Sequence, residues 1–574
     1  MLEVHQLYND VLHRNADPSG LAEYAPLVKR SRSSVENIFR SSDEYCKRVG
    51  TFYENNGVSI CCAVKNRWEM LKQSIPSWLE CKEVKDIVIV DYGSTCPVFR
   101  NIEESSMCDD RIRIFQVLNA DSWCLSKAYN IAFYHARCNI IAKMDTDYVV
   151  LNPRIFAIHK LEYGYFFAGN WRNSRNENED HLNGFVFIFK HDFFRINGYS
   201  EHIVSYGRDD EDLYERLRLA SVTRKDLQVD CLYHIPHGDD LRTRHQKLFT
   251  TNCHDEIIHN EGVKLWTPDD HRMCYYTLQS QKNTWLCSER PFFIIQPHHG
   301  LGNRLRALMG ALQFADIHNM QLAIKWCVDD HCGCLFDDIF ATPFPEIDPK
   351  LDPPTFDLGG DKHNYCDDDD WNNKGELIQF LHRSIYLKSN CVIEFEKSDY
   401  SNMAKMLRQL QVQPSIISKV PSFDGYTVGV HIRMDNGMKN SWESQDQYSC
   451  ANFLKTQNER YKSHYSNFVA YMIRFEEQLK CKWFVCTDSP WILPKMAHIF
   501  GNRLLCSQAT SESSTANDGV INRETQCIQL AFADMLTLSR CNALVGSSWS
   551  SFTEVAQYLK DGTYDFVHIV GRDF

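Results

Sequence analysis

Residues 140–150 read Ile-Ile-Ala-Lys-Met-Asp-Thr-Asp-Tyr-Val-Val, an apolar run that ends in two acids one residue apart. If the run is a strand, the period of two sends Asp145 and Asp147 out on the same face at its C-terminal end. Two carboxylates so placed share a divalent cation with a diphosphate. Oxygen ligands suit Mg²⁺ or Mn²⁺, which neutralises a nucleotide leaving group. A second set of candidate residues lies in 298–326. Gly300 and Gly302 allow close backbone approach, Asn303 follows, and the next helix N-terminus can face a phosphate. Farther on, "YTVGVHIRMD" delivers His431 and Arg433 from a strand end, and Arg433 is a permanent, forked cation suited to a diphosphate. Ser547, Ser548, Ser550 and Ser551 precede a predicted helix, so hydroxyls and free backbone N–H groups converge on the same anion, or simply cap the helix.

The elements that position these residues follow a regular alternation. Val58–Val64, Ile87–Val90, Ile112–Val117 and Asn139–Met144 read as strands separated by helical stretches, which predicts a doubly wound α/β sheet. Such sheets bind ligands beyond the C-terminal ends of their strands. Lys65-Asn66-Arg67, Asp91, Asp145 and Asp147 all fall there. A new α/β pattern opens at Phe292-Phe293-Ile294-Ile295. The intervening 265–290 has no clear period and takes the domain boundary. The expected division is 1–50, a helical appendage; 55–285, a first α/β domain; and 290–574, a second. In the appendage, Leu7, Val11 and Leu12 have helical spacing, Asp17-Pro18-Ser19-Gly20 breaks the chain, and Ser34 caps a further helix through Ile38 and Phe39.

At 574 residues the chain exceeds one core, and its composition, 43% apolar and 24% charged, is that of a globular protein. A net charge of −13 argues against a broad nucleic-acid surface. No run of about 18 apolar residues occurs, and the N-terminus lacks a signal-peptide pattern, so a soluble cytoplasmic protein is expected. The 23 cysteines are odd in number and irregularly spaced, with several inside apolar runs, which fits a reducing compartment better than a disulfide scaffold. Cys327, Cys332, Cys334 and Cys366 form a neighbourhood that could bind zinc, although no Cys-x-x-Cys pair supports it. The acidic run Asp367–Asp370 reads as a solvated loop.

The motifs "VSICCAVKNRWEMLKQSIPSWLE", "DIVIVDYGST" and "SKAYNIAFYHARCNIIAKMDTD" together resemble the opening half of an inverting, metal-dependent glycosyltransferase of GT-A fold. "LNGFVFIFKHDFFRINGYSEHIVSYGRDDEDLYERL" is similar to the acceptor-side segment of β-galactosyl- and N-acetylgalactosaminyltransferases. The resemblance implies that Asp91 reads the uracil or ribose, that Asp145 and Asp147 hold metal and diphosphate, and that Asp210 is the general base. Asn183, Gly184 and Asp209 fall on the acceptor side. His234 and His237, in "LYHIPHGDD", lie where related enzymes place a metal-binding histidine, with His237 preferred. The implied cofactor is Mn²⁺ or Mg²⁺ and the implied donor a UDP-sugar. One departure stands out: the family's Trp-Gly-Gly-Glu is Tyr206-Gly207-Arg208-Asp209 here. The acids at 209–212 also suit a helix N-terminus.

In the second half, "HHGLGNRLRALMGALQFADIHNMQLAIKW", "YTVGVHIRMD", "KWFVCTDSP" and "QLAFADMLTLSRCNALVGSSWSSFTEVAQYL" occur in order. This set resembles the GDP-fucose-using fucosyltransferases of GT-B type, which have two Rossmann-like halves and use no metal. By that resemblance Arg433 binds the β-phosphate, with Gly300, Gly302, Asn303, His431, Asp534, Ser550 and Ser551 in the donor region and Asp488 a weaker candidate. "LYNDVLHRNADPSGLAEYA" and its continuation resemble a small helical module appended to bacterial and viral enzymes, for which docking a protein partner is the default role. The combined expectation is a bifunctional glycosyltransferase acting on nucleotide-sugars and a glycan acceptor, with no nucleic-acid partner and no membrane span. Its rivals are a glycan-binding scaffold with one inactive half, and a nucleotidyl- or phosphotransferase that uses the Asp-x-Asp metal site.

Overall fold

A computed structural model describes residues 2–12, 16–29, 32, 35, 39, 57–105, 107–267, 269–351, 384–434, 462–507 and 523–574. Ser34, Ile38, Cys366 and Asp367–Asp370 lie outside the described residues. The chain forms two compact units, Met1–Glu289 and Arg290–Phe574.

At the start of the first unit, α1 (Leu2–Leu7) and α2 (Pro18–Val28) pack through Val4, Leu7, Val11 and Val28. The stretch expected to break the chain instead begins α2. Asp17 caps it by accepting the Gly20 N–H at 2.8 Å, and Pro18 takes the first turn, where a missing N–H costs nothing.

The main body of this unit is a nine-stranded sheet. Its strands are β1 (Val58–Val64), β2 (Val84–Asp91), β3 (Ile112–Val117), β4 (Ile140–Lys143), β6 (Tyr165–Ala168), β7 (Val186–Phe189), β8 (Thr223–Asp226), β10 (Tyr276–Gln281) and β11 (Thr284–Ser288), in the order β10-β11-β3-β2-β1-β4-β7-β6-β8. A separate two-stranded ribbon pairs β5 (Tyr148–Val150) with β9 (Leu232–His234). β1 to β4 are mutually parallel, whereas β7 runs antiparallel to β4. β1 shows why its sequence reads as an unbroken apolar run: every residue is buried, with Ile60, Cys62 and Val64 facing one core and Cys61 and Ala63 the other. Helix α3 (Trp68–Leu79) supplies Leu71, Ile75 and Trp78 to the first core, and α4 (Leu125–His135) supplies Ala128, Tyr129 and Phe133 to the second. The sheet is therefore doubly wound.

The segment 265–290, which has no clear period in the sequence, adds β10 and β11 to the edge of this sheet, where β11 runs parallel to β3. β10, the edge strand, has one solvated face and so only a short alternation, and β11, beyond a tight Asn283 turn (φ 60°), is a buried strand of five residues, too short to show a period.

The second unit contains two all-parallel sheets, the layout of two Rossmann-like halves. One holds β12 (Phe292–Pro297), β13 (Gln321–Ile324) and β14 (Ile385–Ser389) in the order β13-β12-β14. The other holds β15 (Thr427–Ile432), β16 (Lys482–Thr487), β17 (Leu504–Cys506), β18 (Ala543–Gly546) and β19 (Val567–Ile569) in the order β17-β16-β15-β18-β19. Helix α7 (Leu301–Ile317) follows β12, while α10 (Thr525–Arg540) and α11 (Ser551–Leu559) flank β18. No helix among the described residues is long and apolar enough to cross a membrane. The described cysteines are free thiols.

Candidate active site

The first unit opens into a cleft of about 280 Å³ beyond the C-terminal ends of β1 and β4. The conserved direction of a parallel sheet explains the place: strand ends and helix starts converge there. Lys65, Arg67, Lys143, Asp145, Asp147, Asn183, Gly184, Asp209, Asp210, His234 and His237 all line it.

Asp145 and Asp147 do not share a face. β4 ends at Lys143, so both acids lie in the following turn, where the strand period no longer applies. Asp145 accepts the Tyr129 hydroxyl at 2.5 Å and pairs with Lys143 Nζ at 3.0 Å. Asp147 turns the other way. Its Oδ2 lies 2.8 Å from His237 Nε2, 3.9 Å from His234 Nε2 and 3.5 Å from an Arg67 guanidinium nitrogen. The β5–β9 ribbon makes this meeting, because it sets Tyr148 opposite His234 and the Ile235 N–H on the Asp147 carbonyl at 2.8 Å. Burial works against charge on Asp147, but the His237 hydrogen bond, with His234 and Arg67 nearby, holds its carboxyl below the ordinary value.

One ligand atom each from Asp147, His234 and His237 lies within 4.8 Å of the others, and this is the only such group among the described residues. Two imidazoles and a carboxylate fit a divalent transition metal such as Mn²⁺ better than Mg²⁺, which prefers oxygen alone. The set expected from the sequence was Asp145, Asp147 and His237; the structure brings Asp147 and His237 together with His234 and leaves Asp145 on Lys143. The Cys327, Cys332 and Cys334 neighbourhood forms no such group, although Cys332 Sγ and Cys334 Sγ lie 3.5 Å apart.

Opposite this group stands the N-terminus of α5 (Asp209–Leu219). Its first turn carries Asp209, Asp210, Glu211 and Asp212 and its last Arg216 and Arg218, as the helix dipole favours. Asp210 Oδ1 accepts the Tyr199 hydroxyl at 3.0 Å and lies 3.7 Å from Lys143 Nζ. Burial pushes the Asp210 carboxyl up to about 6; Asp145 and Glu211 push the same way, and Lys143 and Tyr199 oppose it. Asp209 is raised further by burial and by its neighbour Asp210. Tyr214, on the same helix, donates to the Asn183 carbonyl at 2.5 Å and so fixes the turn that carries Asn183 and Gly184.

Asp91 does not line the cleft. It is 1% exposed, and its two oxygens accept the Ser94 and Val98 N–H groups at 2.9 Å each. Its carboxylate closes the turn after β2, and burial raises its pKa despite those bonds. A strand-end acid followed by Gly-Ser is equally a turn-former, and the sequence does not separate the two roles. Lys143, Tyr129 and Tyr199 were not among the expected site residues. A lysine inside an apolar strand, two residues before an acid, is the signal that would have found the first.

In the second unit the expected residues divide into two groups. At the end of β15, the Arg433 N–H donates to Ser547 Oγ at 2.8 Å and the Met434 N–H to Asp488 Oδ1 at 2.9 Å. His431 is buried, with Nδ1 2.8 Å from Thr553 Oγ1 and its ring stacked on Phe552 at 4.4 Å; burial drops its pKa to about 3. Ser550 caps α11 by position, yet its hydroxyl is buried, makes no capping bond and has no hydrogen-bond partner among the described residues. Gly300 caps α7, and Asn303 holds Arg306 through its Oδ1 at 2.9 Å. Gly302 serves packing. A Cβ there would stand 2.7 Å from Ser551 Oγ, so the glycine lets α7 and α11 touch, and Ser551 is taken up in that contact. Asp534 is buried against Ser507, whose hydroxyl lies 2.6 Å from Oδ1, and burial lifts its carboxyl to about 7.

Residues 170–238 match a family described as the N-terminal domain of galactosyltransferase. That segment carries Asn183, Gly184, Asp209, Asp210, His234 and His237. The cleft thus draws part of its lining from a galactosyltransferase-like segment. No curated protein sequence matches the chain. Among solved structures, fucosyltransferase NodZ from Bradyrhizobium is 17% identical with a TM-score of 0.31, over 47% of this chain and 93% of that one. A mutant Drosophila β1,4-galactosyltransferase 7 in complex with manganese, UDP-Gal and xylobiose is 14% identical with a TM-score of 0.28, over 40% of this chain and 92% of that one. POFUT1 in complex with GDP is 11% identical with a TM-score of 0.32, over 49% and 98%.

Proposed function

We propose that the chain is a bifunctional glycosyltransferase. Its first unit transfers a hexose, galactose or a close relative, from a UDP-sugar with inversion and with a divalent metal. Its second unit transfers fucose from GDP-fucose without one. The observation that carries the first reading is the pairing, within one cleft, of the Asp147/His234/His237 group with the half-buried Asp210 carboxylate at the start of α5.

Asp147, His234 and His237 hold the metal, which when bound supplies positive charge to the departing diphosphate. Asp210 takes the proton from the acceptor hydroxyl. As that proton leaves, the acceptor oxygen forms its bond to the anomeric carbon on the face opposite the nucleotide. The carbon–oxygen bond to the diphosphate breaks, and its electron pair leaves with UDP. A base with a pKa near 6 is ionised at neutral pH and still basic enough to share the proton in the transition state.

For the second unit, support comes from the unpartnered Ser550 hydroxyl at the start of α11, beside the β15 end that presents Arg433. Hydroxyl, helix N-terminus and guanidinium suit a nucleoside diphosphate leaving group. Two active units on one chain favour successive additions to one glycan.

The test is nucleotide release from a panel of UDP- and GDP-sugars by residues 57–289 and 290–574, produced separately, with Mn²⁺ and with EDTA. The first fragment is expected to turn over a UDP-hexose only with metal, and the second GDP-fucose in either condition. A folded fragment silent across the panel makes that half a binding module, and the chain then has one active half.

A further inference from the structure

Lys143 is the most completely buried charge in the cleft, with its side chain 0% exposed. An ammonium taken out of water persists only where other groups replace that water. Its Nζ lies 3.0 and 3.3 Å from the two Asp145 oxygens, 2.8 Å from the Gly184 carbonyl, 3.7 Å from Asp210 Oδ1 and 4.7 Å from the centre of the Tyr129 ring. These partners come from the turn after β4, from the turn before β7 and from the start of α5. No other cation of the cleft has partners on all three. Gly184 makes room for the arrangement: a Cβ there would stand 2.9 Å from Lys143 Nζ and 2.8 Å from Asp145 Oδ2.

The two carboxylates are not equally dependent on it. Asp145 also holds the short bond from Tyr129, whereas Asp210 has Tyr199 at 3.0 Å as its other close side-chain donor. The Asp147/His234/His237 group has Arg67 as its neighbouring cation, 3.5 Å from Asp147.

We propose that Lys143 is a positioning residue for the transfer step: a buried cation that fixes the Asp210 carboxylate relative to Asp145 and Gly184, and so sets where an acceptor hydroxyl meets the donor. The inference rests on the first unit being a metal-dependent glycosyltransferase. Loss of the cation leaves metal and donor binding to Asp147, His234, His237 and Arg67, but frees the base. Water, which is small and abundant, still reaches the anomeric carbon, so donor hydrolysis suffers far less than transfer to an acceptor hydroxyl that must be placed. Misplacement by about 1 Å costs on the order of 100-fold in rate.

The experiment compares the full chain with K143M and K143Q, measuring UDP release from the donor found for the first unit, with Mn²⁺, in the presence and absence of acceptor. Thermal unfolding is read alongside. The expected result is a fall in transfer kcat of about 100-fold, donor KM little changed, and a hydrolysis-to-transfer ratio raised at least about tenfold. K143Q, which can still donate to the Gly184 carbonyl, is expected to keep the fold if K143M does not. Parallel loss of hydrolysis and transfer, or no loss of either, overturns the proposal, as does failure of both variants to fold, which makes Lys143 a folding residue only. A wild-type chain that releases UDP from no UDP-sugar overturns the glycosyltransferase reading itself, and the role of Lys143 falls with it.

Discussion

Asp147 is a buried acid and Asp210 a half-buried one of the same cleft, yet their surroundings drive them apart. Asp210 is lifted to about 6, chiefly by burial, while Asp147 is held below the ordinary value because His237, His234 and Arg67 outweigh its burial. The division matches the two tasks proposed for them, a base and a metal ligand. Asp210 must be unprotonated to accept a proton. With its pKa raised, the active fraction is one half near 6, nearly full above about 7, and declines roughly tenfold per pH unit well below 6. A pH profile of kcat/KM for the first unit should therefore show an acid limb near 6, absent from D210N. That variant is expected to lose about 10²- to 10⁴-fold in transfer rate while still binding the UDP-sugar, which calorimetric titration checks. D147N is expected to raise the Mn²⁺ concentration needed for half-maximal rate by more than the roughly 10- to 100-fold that loss of an indirect partner costs. An unchanged Mn²⁺ requirement would remove Asp147 from the metal.

At the scale of elements, close contacts decide what a single methyl does. In the second unit α7 and α11 meet at Gly302, where an added Cβ would stand 2.7 Å from Ser551 Oγ and 3.0 Å from the Ser551 carbonyl carbon. The serine rotamer can yield, but the backbone of α11 must also move. G302A is expected to destabilise the second unit by about 1–3 kcal/mol, read as a lower midpoint of its unfolding transition in the full chain. Its effect on GDP-fucose turnover follows, since the same helix start carries Ser550. The strands at this scale were legible because parallel strands buried on both faces are continuous apolar runs: 58–64 and 112–117 coincide with β1 and β3. β10 and β11 were not, because an edge hairpin contributes little of that signal.

Over the whole molecule, the two units have separate cores, and among the described residues a side-chain group that could hold a metal is found in the first alone. Thermal unfolding of the full chain is expected to show two transitions, of which Mn²⁺ raises one. At 100 times its dissociation constant the ion stabilises that unit by about 2.7 kcal/mol, and EDTA removes the gain. A single transition that moves as a whole would make the units one cooperative body.

The residue types and their order along the chain were enough to mark the alternating α/β architecture and to single out as candidates the acids at 145, 147 and 209–212, and Arg433 with the serine-rich turn. Each of these is a local signal, a run or a spacing within a few residues. Which acid faces which partner was beyond them. Asp147 meets His234 and His237 only because β5 pairs with β9 across more than 80 residues of chain. Asp145 meets Asp210 through Lys143 only because α5 starts opposite the end of β4. Asp91 and Gly302 show the same limit: a carboxylate that closes its own turn and a glycine that admits a neighbouring helix read, in sequence, like ligands. Side-chain direction in a turn is set by long-range pairing and burial, and no strand or helix period reports it.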